Sequence, residues 1–145
     1  MQKRKTTLGL CIVKAKEWNR IPRKRYQKAA DQGDAYAQTN LGVMYESGQG
    51  VEQDFKEALK WYQKAAEQGD ASGQTYRGRM YYEGRGVEQD YLTAYALVNI
   101  AVSNGDENAK KVKPALYKEL SFRQITKAAV LTKEMLKKNP KVINK

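Results

Sequence analysis

An all-α fold, built as an α/α solenoid of antiparallel helix pairs, is predicted by three observations. The string YQKAADQGD from Tyr26 to Asp34 returns 36 residues later as YQKAAEQGD from Tyr62 to Asp70. The loop GQGVEQD from Gly48 to Asp54 returns after the same interval as GRGVEQD from Gly84 to Asp90. At that offset, residues 26–61 and 62–97 are identical at 21 of 36 positions. A period of this size marks stacked helical hairpins, each too small to bury its apolar face without a neighbour.

The elements follow in order. Residues 1–21 are expected to form an irregular or mobile arm, residues 22–120 the repeat array, and residues 121–145 a capping helix and tail. Pro22 suits the first turn of a helix, so the array opens there. If no earlier helix precedes it, the apolar face of the 22–32 helix is uncovered, and end-to-end pairing of two copies would cover it. Asp34 caps a first helix from about Ala35 to Ser47, because its carboxylate accepts from the free amides of the opening turn. Gly48 closes that helix in the left-handed conformation. Asp54 caps a second helix to about Gln68, with Glu57 placed to complete a capping box. The pairs Gly33–Asp34, Gly69–Asp70 and Gly105–Asp106 form one joint used three times.

Apolar residues recur at helical spacing: Leu41, Met44 and Tyr45 on the first helix, then Phe55, Ala58, Leu59, Tyr62, Ala65 and Ala66 on the second. The second copy departs from the first by placing Arg77 where Leu41 stood. A buried guanidinium is costly, so its stem must lie along apolar surface with the charge emerging, or it must meet a carboxylate such as Glu46 or Glu83. Gly73 and Gly78 lower the helix propensity of the same element, which is expected to be the weakest of the array. Pro114 is expected to kink or break the helix that starts after Asp106. Ser121 and Gln124 then signal a capping box for a last helix to about Lys138, with Phe122, Ile125, Ala129 and Leu136 on one side. Its basic side, with Arg123, Lys127, Lys133, Lys137 and Lys138, is expected to be the polar outer end that an array needs.

The net charge of +11 hides a split. Residues 1–30 carry +9, residues 31–109 carry −7 and residues 110–145 carry +9. Only the two ends have the density of Lys and Arg that phosphate binding requires. Association with nucleic acid or an anionic membrane through those ends is the alternative to a protein-binding role. Cys11 alone closes no internal bridge. The segment from Met1 to Val13 begins like an export signal, but Lys14, Lys16 and Glu17 cut its apolar core short of the roughly 7 to 15 residues required. A cytoplasmic location is therefore expected over a secreted or periplasmic one.

The string LGVMYESGQGVEQDFKEALKWYQKAAEQGD, from Leu41 to Asp70, resembles a Sel1-like repeat, a relative of the tetratricopeptide repeat with a longer loop between its helices. The resemblance covers residues 26–109, and residues 110–138 resemble the closing helix pair of such proteins. It implies a right-handed superhelix whose first helices line a concave face, used as a scaffold or adaptor to hold other proteins. Some secreted, cysteine-rich relatives are associated with binding or hydrolysis of β-lactams, and with one cysteine this chain lacks their disulfide pattern.

The chain contains no histidine, which removes the commonest general base, the Ser-His and Cys-His pairs and most zinc sites. The Gly-x-Gly of each loop lacks the third glycine and the lysine that cradle phosphate. The acids recur at helix starts, where the helix dipole already explains them. No catalytic residue, cofactor or metal ligand is therefore expected. The candidate partner-binding residues are first-helix positions that share a phase and differ between copies: Tyr36, Asn40 and Val43, and one period later Ser72, Tyr76 and Arg79. A protein or peptide is the expected occupant.

Overall fold

The computed structural model describes residues 20–143, and the expectations for residues 1–19, including the export-like segment and Cys11, lie outside the described residues. Among the described residues there are seven α-helices and no strand. They are α1 (Arg20–Asp31), α2 (Ala35–Ser47), α3 (Phe55–Glu67), α4 (Ala71–Glu83), α5 (Tyr91–Ser103), α6 (Glu107–Glu119) and α7 (Phe122–Lys138), followed by a 3-10 turn (Pro140–Val142).

Local chemistry sets the boundaries. Asp34, Asp54, Asp70, Asp90 and Asp106 each cap the helix that follows, accepting from backbone amides of its first turn. Gly48 closes α2 at φ 75° and Gly84 closes α4 at φ 70°, a region that side chains rarely enter. The capping box expected at Asp54 is only half made. The Asp54 amide already donates to the Tyr45 carbonyl at 2.9 Å, so nothing is left for Glu57, whose carboxylate lies 3.9 Å from Lys60 instead. The box at Ser121 and Gln124 is complete, at 3.2 and 2.9 Å.

Helices α2 with α3 and α4 with α5 form two hairpins, and α3 with α4 and α5 with α6 join them side by side. Each hairpin closes over a glycine. A Cβ on Gly42 would sit 2.5 Å from the Tyr62 ring, and one on Gly78 would sit 3.2 Å from the Ala94 carbonyl. Gly78 thus lets α5 approach, and the low helix propensity of α4 is offset by close packing with both neighbours. A polar register runs through the stack. Thr39 donates to the Asp70 carboxylate at 2.6 Å, and Thr75 donates to Asp106 at 2.6 Å. Gln38 donates to the Ala30 carbonyl and Gln74 to the Ala66 carbonyl, each at 3.1 Å. Both sets repeat at the 36-residue period, so identical residues hold identical joints.

Successive first helices touch, α2 with α4 and α4 with α6, whereas the second helices α3 and α5 do not approach to the same extent. The first helices α2, α4 and α6 therefore share one side of the stack.

Two expectations are corrected at the edges. Helix α6 is not broken: it runs unbroken across Pro114, which is exposed. Helix α7 packs chiefly on α5 rather than folding back on α6. Its buried side is Ala128, with Ile125 packed alongside, while Phe122 is 84% exposed and Ala129 faces outward. The α6–α7 connection is only Leu120 and Ser121, and Pro114 stands where Gly42 and Gly78 admitted a partner. Helix α1 starts at Arg20, and its Tyr26, Ala29 and Ala30 pack with Ala37, Leu41 and Trp61. Of the two courses expected of Arg77, the structure shows the apolar one: its guanidinium lies 5.8 Å from the Tyr81 ring, it lines a cavity with Leu97, Ile100 and Met135, and it pairs with neither Glu46 nor Glu83. The tail then returns to the stack, where the Val142 carbonyl accepts from Gln74 and Asn104 at 2.7 Å and Asn139 donates to the Glu67 carbonyl at 2.7 Å.

Candidate partner-binding face

The first helices α2 and α4 carry the six candidate residues. On α2, Tyr36 is 68% exposed, and the Asn40 amide folds back to donate to the Tyr36 carbonyl at 3.0 Å. Val43 packs against the cluster of Ala58, Tyr62 and Met80. On α4, Ser72 is exposed, while Tyr76 stacks on Tyr62 with ring centres 5.0 Å apart. Arg79 pairs with Glu46 and lies 5.1 Å over the Tyr76 ring. The helical period carries Ser72, Tyr76 and Arg79 to one side of α4, where they line a groove of about 310 Å³ facing α6. Tyr36, Asn40 and Val43 lie one unit earlier, on α2, outside that groove.

Glu46 is the electrostatic centre of the face. It accepts from the Tyr62 hydroxyl at 3.0 Å, pairs with Arg79 and lies 3.7 Å from Arg85, which itself holds Glu83 at 2.9 Å. Burial pushes the Tyr62 phenol well above its ordinary range, and the Glu46 charge adds to the rise. Burial alone would lower the Arg79 guanidinium, but hydrogen bonding and attraction to Glu46 outweigh it and the net direction is upward. Tyr76 and Arg79 thus serve the junction of two repeats as well as its surface.

The far wall of the groove comes from α6 and its cap, with Asp106, Asn108, Lys111 and Val112. These were not among the residues singled out from sequence. The signal was present: one further period from Ser72 and Tyr76 leads to Asn108 and Val112. Among the described residues no group of three or more Asp, Glu, His or Cys side chains converges to hold a metal ion. No described helix is long and apolar enough to cross a membrane.

Stacked antiparallel hairpins and repeated capping joints define a helical-repeat protein. The Sel1 repeat matches at residues 26–34, 35–70 and 71–106, and the chain belongs to the Sel1 repeat family. Among solved structures it is similar to c5321, described as a protective antigen present in uropathogenic Escherichia coli strains displaying an SLR fold. The identity is 34% and the TM-score 0.77, over 83% of this chain and 26% of that one. It is also similar to a Sel1 repeat protein from Oxalobacter formigenes, with 40% identity and a TM-score of 0.61 over 66% of this chain and 39% of that one. The chain thus spans well under half the length of either bacterial relative. No curated protein matches it. Proteins of this family are in general protein–protein interaction scaffolds.

Proposed function

We propose that the chain is a non-catalytic adaptor that binds a partner polypeptide along the inner face of α2, α4 and α6. One observation carries this reading: the joint residues Gln38, Thr39 and Asp70 recur unchanged as Gln74, Thr75 and Asp106, whereas the same-phase first-helix residues Tyr36 and Ser72 differ and are both exposed. Exposed first-helix positions that vary beside constant joints suit recognition, because the joints hold the stack while the contacts change. The groove offers an apolar and aromatic wall, Val112 and Tyr76, beside polar groups that can pair with peptide amides, Ser72 and Asn108.

The test is photo-cross-linking in cells of the source organism, with a benzophenone side chain at Tyr36, Ser72 or Asn108 and, as outer-face controls, at Lys60 or Gln63. Adducts to one protein from the inner positions alone support the reading; adducts to that protein from the outer positions alone overturn it. Tyr36→Ala should then weaken the captured partner by about 1 to 2 kcal/mol, as exposed aromatic anchors do. Tyr76 and Arg79 suit this test less well, since their substitution also disturbs Tyr62 and Glu46.

A further inference from the structure

Helix α6 is a first helix that lacks its hairpin partner among the described residues. Its contact position in the earlier copies is Gly42, which receives the Tyr62 ring, and Gly78, which receives Val98 and Ala94. One period on stands Pro114, exposed, because α7 has left for α5. What remains is a groove of about 420 Å³ lined by Val102, Lys110, Lys113, Pro114, Tyr117 and Lys118, with an almost wholly apolar floor. Tyr117, at the phase of the half-buried Tyr45 and Tyr81, is 53% exposed here.

We propose that this groove is a second docking site, separate from the inner face, and that it takes an acidic amphipathic helix of a partner protein. The helical form follows from the fold, which places a helix against this face of the first helix in both preceding units. The acidic character follows from the rim. Lys110, Lys113 and Lys118 border the floor, and the nearby acids on α6 are Glu107, which holds Lys110 at 2.9 Å, and Glu119. The chain's own candidates carry the wrong charge. A second copy would offer α1 with Arg20, Arg23, Lys24, Arg25 and Lys28, and residues 1–19 hold five bases against one acid. Like charges brought together at an interface are repelled, so these segments are disfavoured there. The proline ring holds any occupant farther out than glycine did, so large apolar side chains such as Leu or Phe are needed to reach the floor.

The probe is a synthetic peptide of about 18 residues, long enough for measurable helicity in water, with Leu and Phe along one helical face and Glu elsewhere. Its binding to the full chain is read by fluorescence anisotropy, beside a scrambled peptide of the same composition and a Lys-for-Glu version. Binding of the acidic amphipathic peptide alone is expected. Lys110→Glu with Lys118→Glu should weaken it about tenfold, the sum of two exposed charge pairs, with circular dichroism unchanged because both side chains are exposed. A photoreactive version of the peptide should mark residues 102–118. The proposal is overturned if the acidic peptide does not bind, if the scrambled one binds equally, or if the adduct lies on Ser72 or Asn108. It is also overturned if phosphatidylglycerol vesicles bind in the peptide's stead, or if the groove is occupied by a second copy, seen as a mass increase with concentration that the double variant changes. Failure here leaves the inner-face cross-links untouched, so the two readings are separable.

Discussion

Tyr62 shows how much one side chain carries in a thin fold. Its ring fills the notch over Gly42, stacks on Tyr76 and donates to Glu46, so three elements meet on it. Gly42→Ala forces a Cβ into that ring and should cost about 1 to 3 kcal/mol, the usual range for overpacking, measurable as a lower urea midpoint. The raised phenol also makes a pH prediction. Below about pH 10, the ordinary tyrosine value, the phenol is protonated in both folded and unfolded chains and its contribution is fully present. As pH rises further, only the unfolded phenol ionises, so stability falls. The urea midpoint of the wild type should drop more between pH 9 and 11 than that of Tyr62→Phe; equal drops would show that Tyr62 is not the group responsible. The burial of Tyr62 was legible from its phase, but its partner was not. Glu46 has Tyr82 at the same place in the next copy, so the repeat pattern gave no hint that this acid would gather two arginines.

The starts of α2 to α6 were legible because each depends on one aspartate and the amides beside it, a purely local event. The same locality misled at α3, where a tertiary bond from Asp54 to Tyr45 displaced the reciprocal half of the box. It misled again at α7, whose buried side is chosen by α5 and not by its own periodicity, leaving Phe122 in solvent. Two substitutions test elements directly. Thr75→Val removes a bond to the Asp106 carboxylate and should destabilise by about 1.5 to 3 kcal/mol, the range for charged acceptors, while Thr75→Ser should restore most of it. Pro114→Ala should raise the melting temperature, since proline inside a helix costs about 3 kcal/mol relative to alanine; no rise would mean that α6 gains nothing from the missing bond.

At the scale of the molecule, the number of copies and their length could be read from the sequence, whereas the curvature and the ends could not. Curvature depends on how closely first helices approach compared with second helices, which is a property of packed side chains. Among the described residues, α1 is a second helix whose apolar residues pack on α2, and α6 is a first helix left open. The two ends of the array therefore differ in chemistry as well as in position.

The threonine-to-aspartate joint has a consequence for growth. Thr39 with Asp70 and Thr75 with Asp106 use the same pair of groups at the same separation in the chain. A segment copied from residues 35–70 and spliced in after Asp70 would arrive with a matching plug at one end and socket at the other. Gene duplication could thus lengthen the molecule in fixed steps, one inner helix at a time, without any new seam having to be invented.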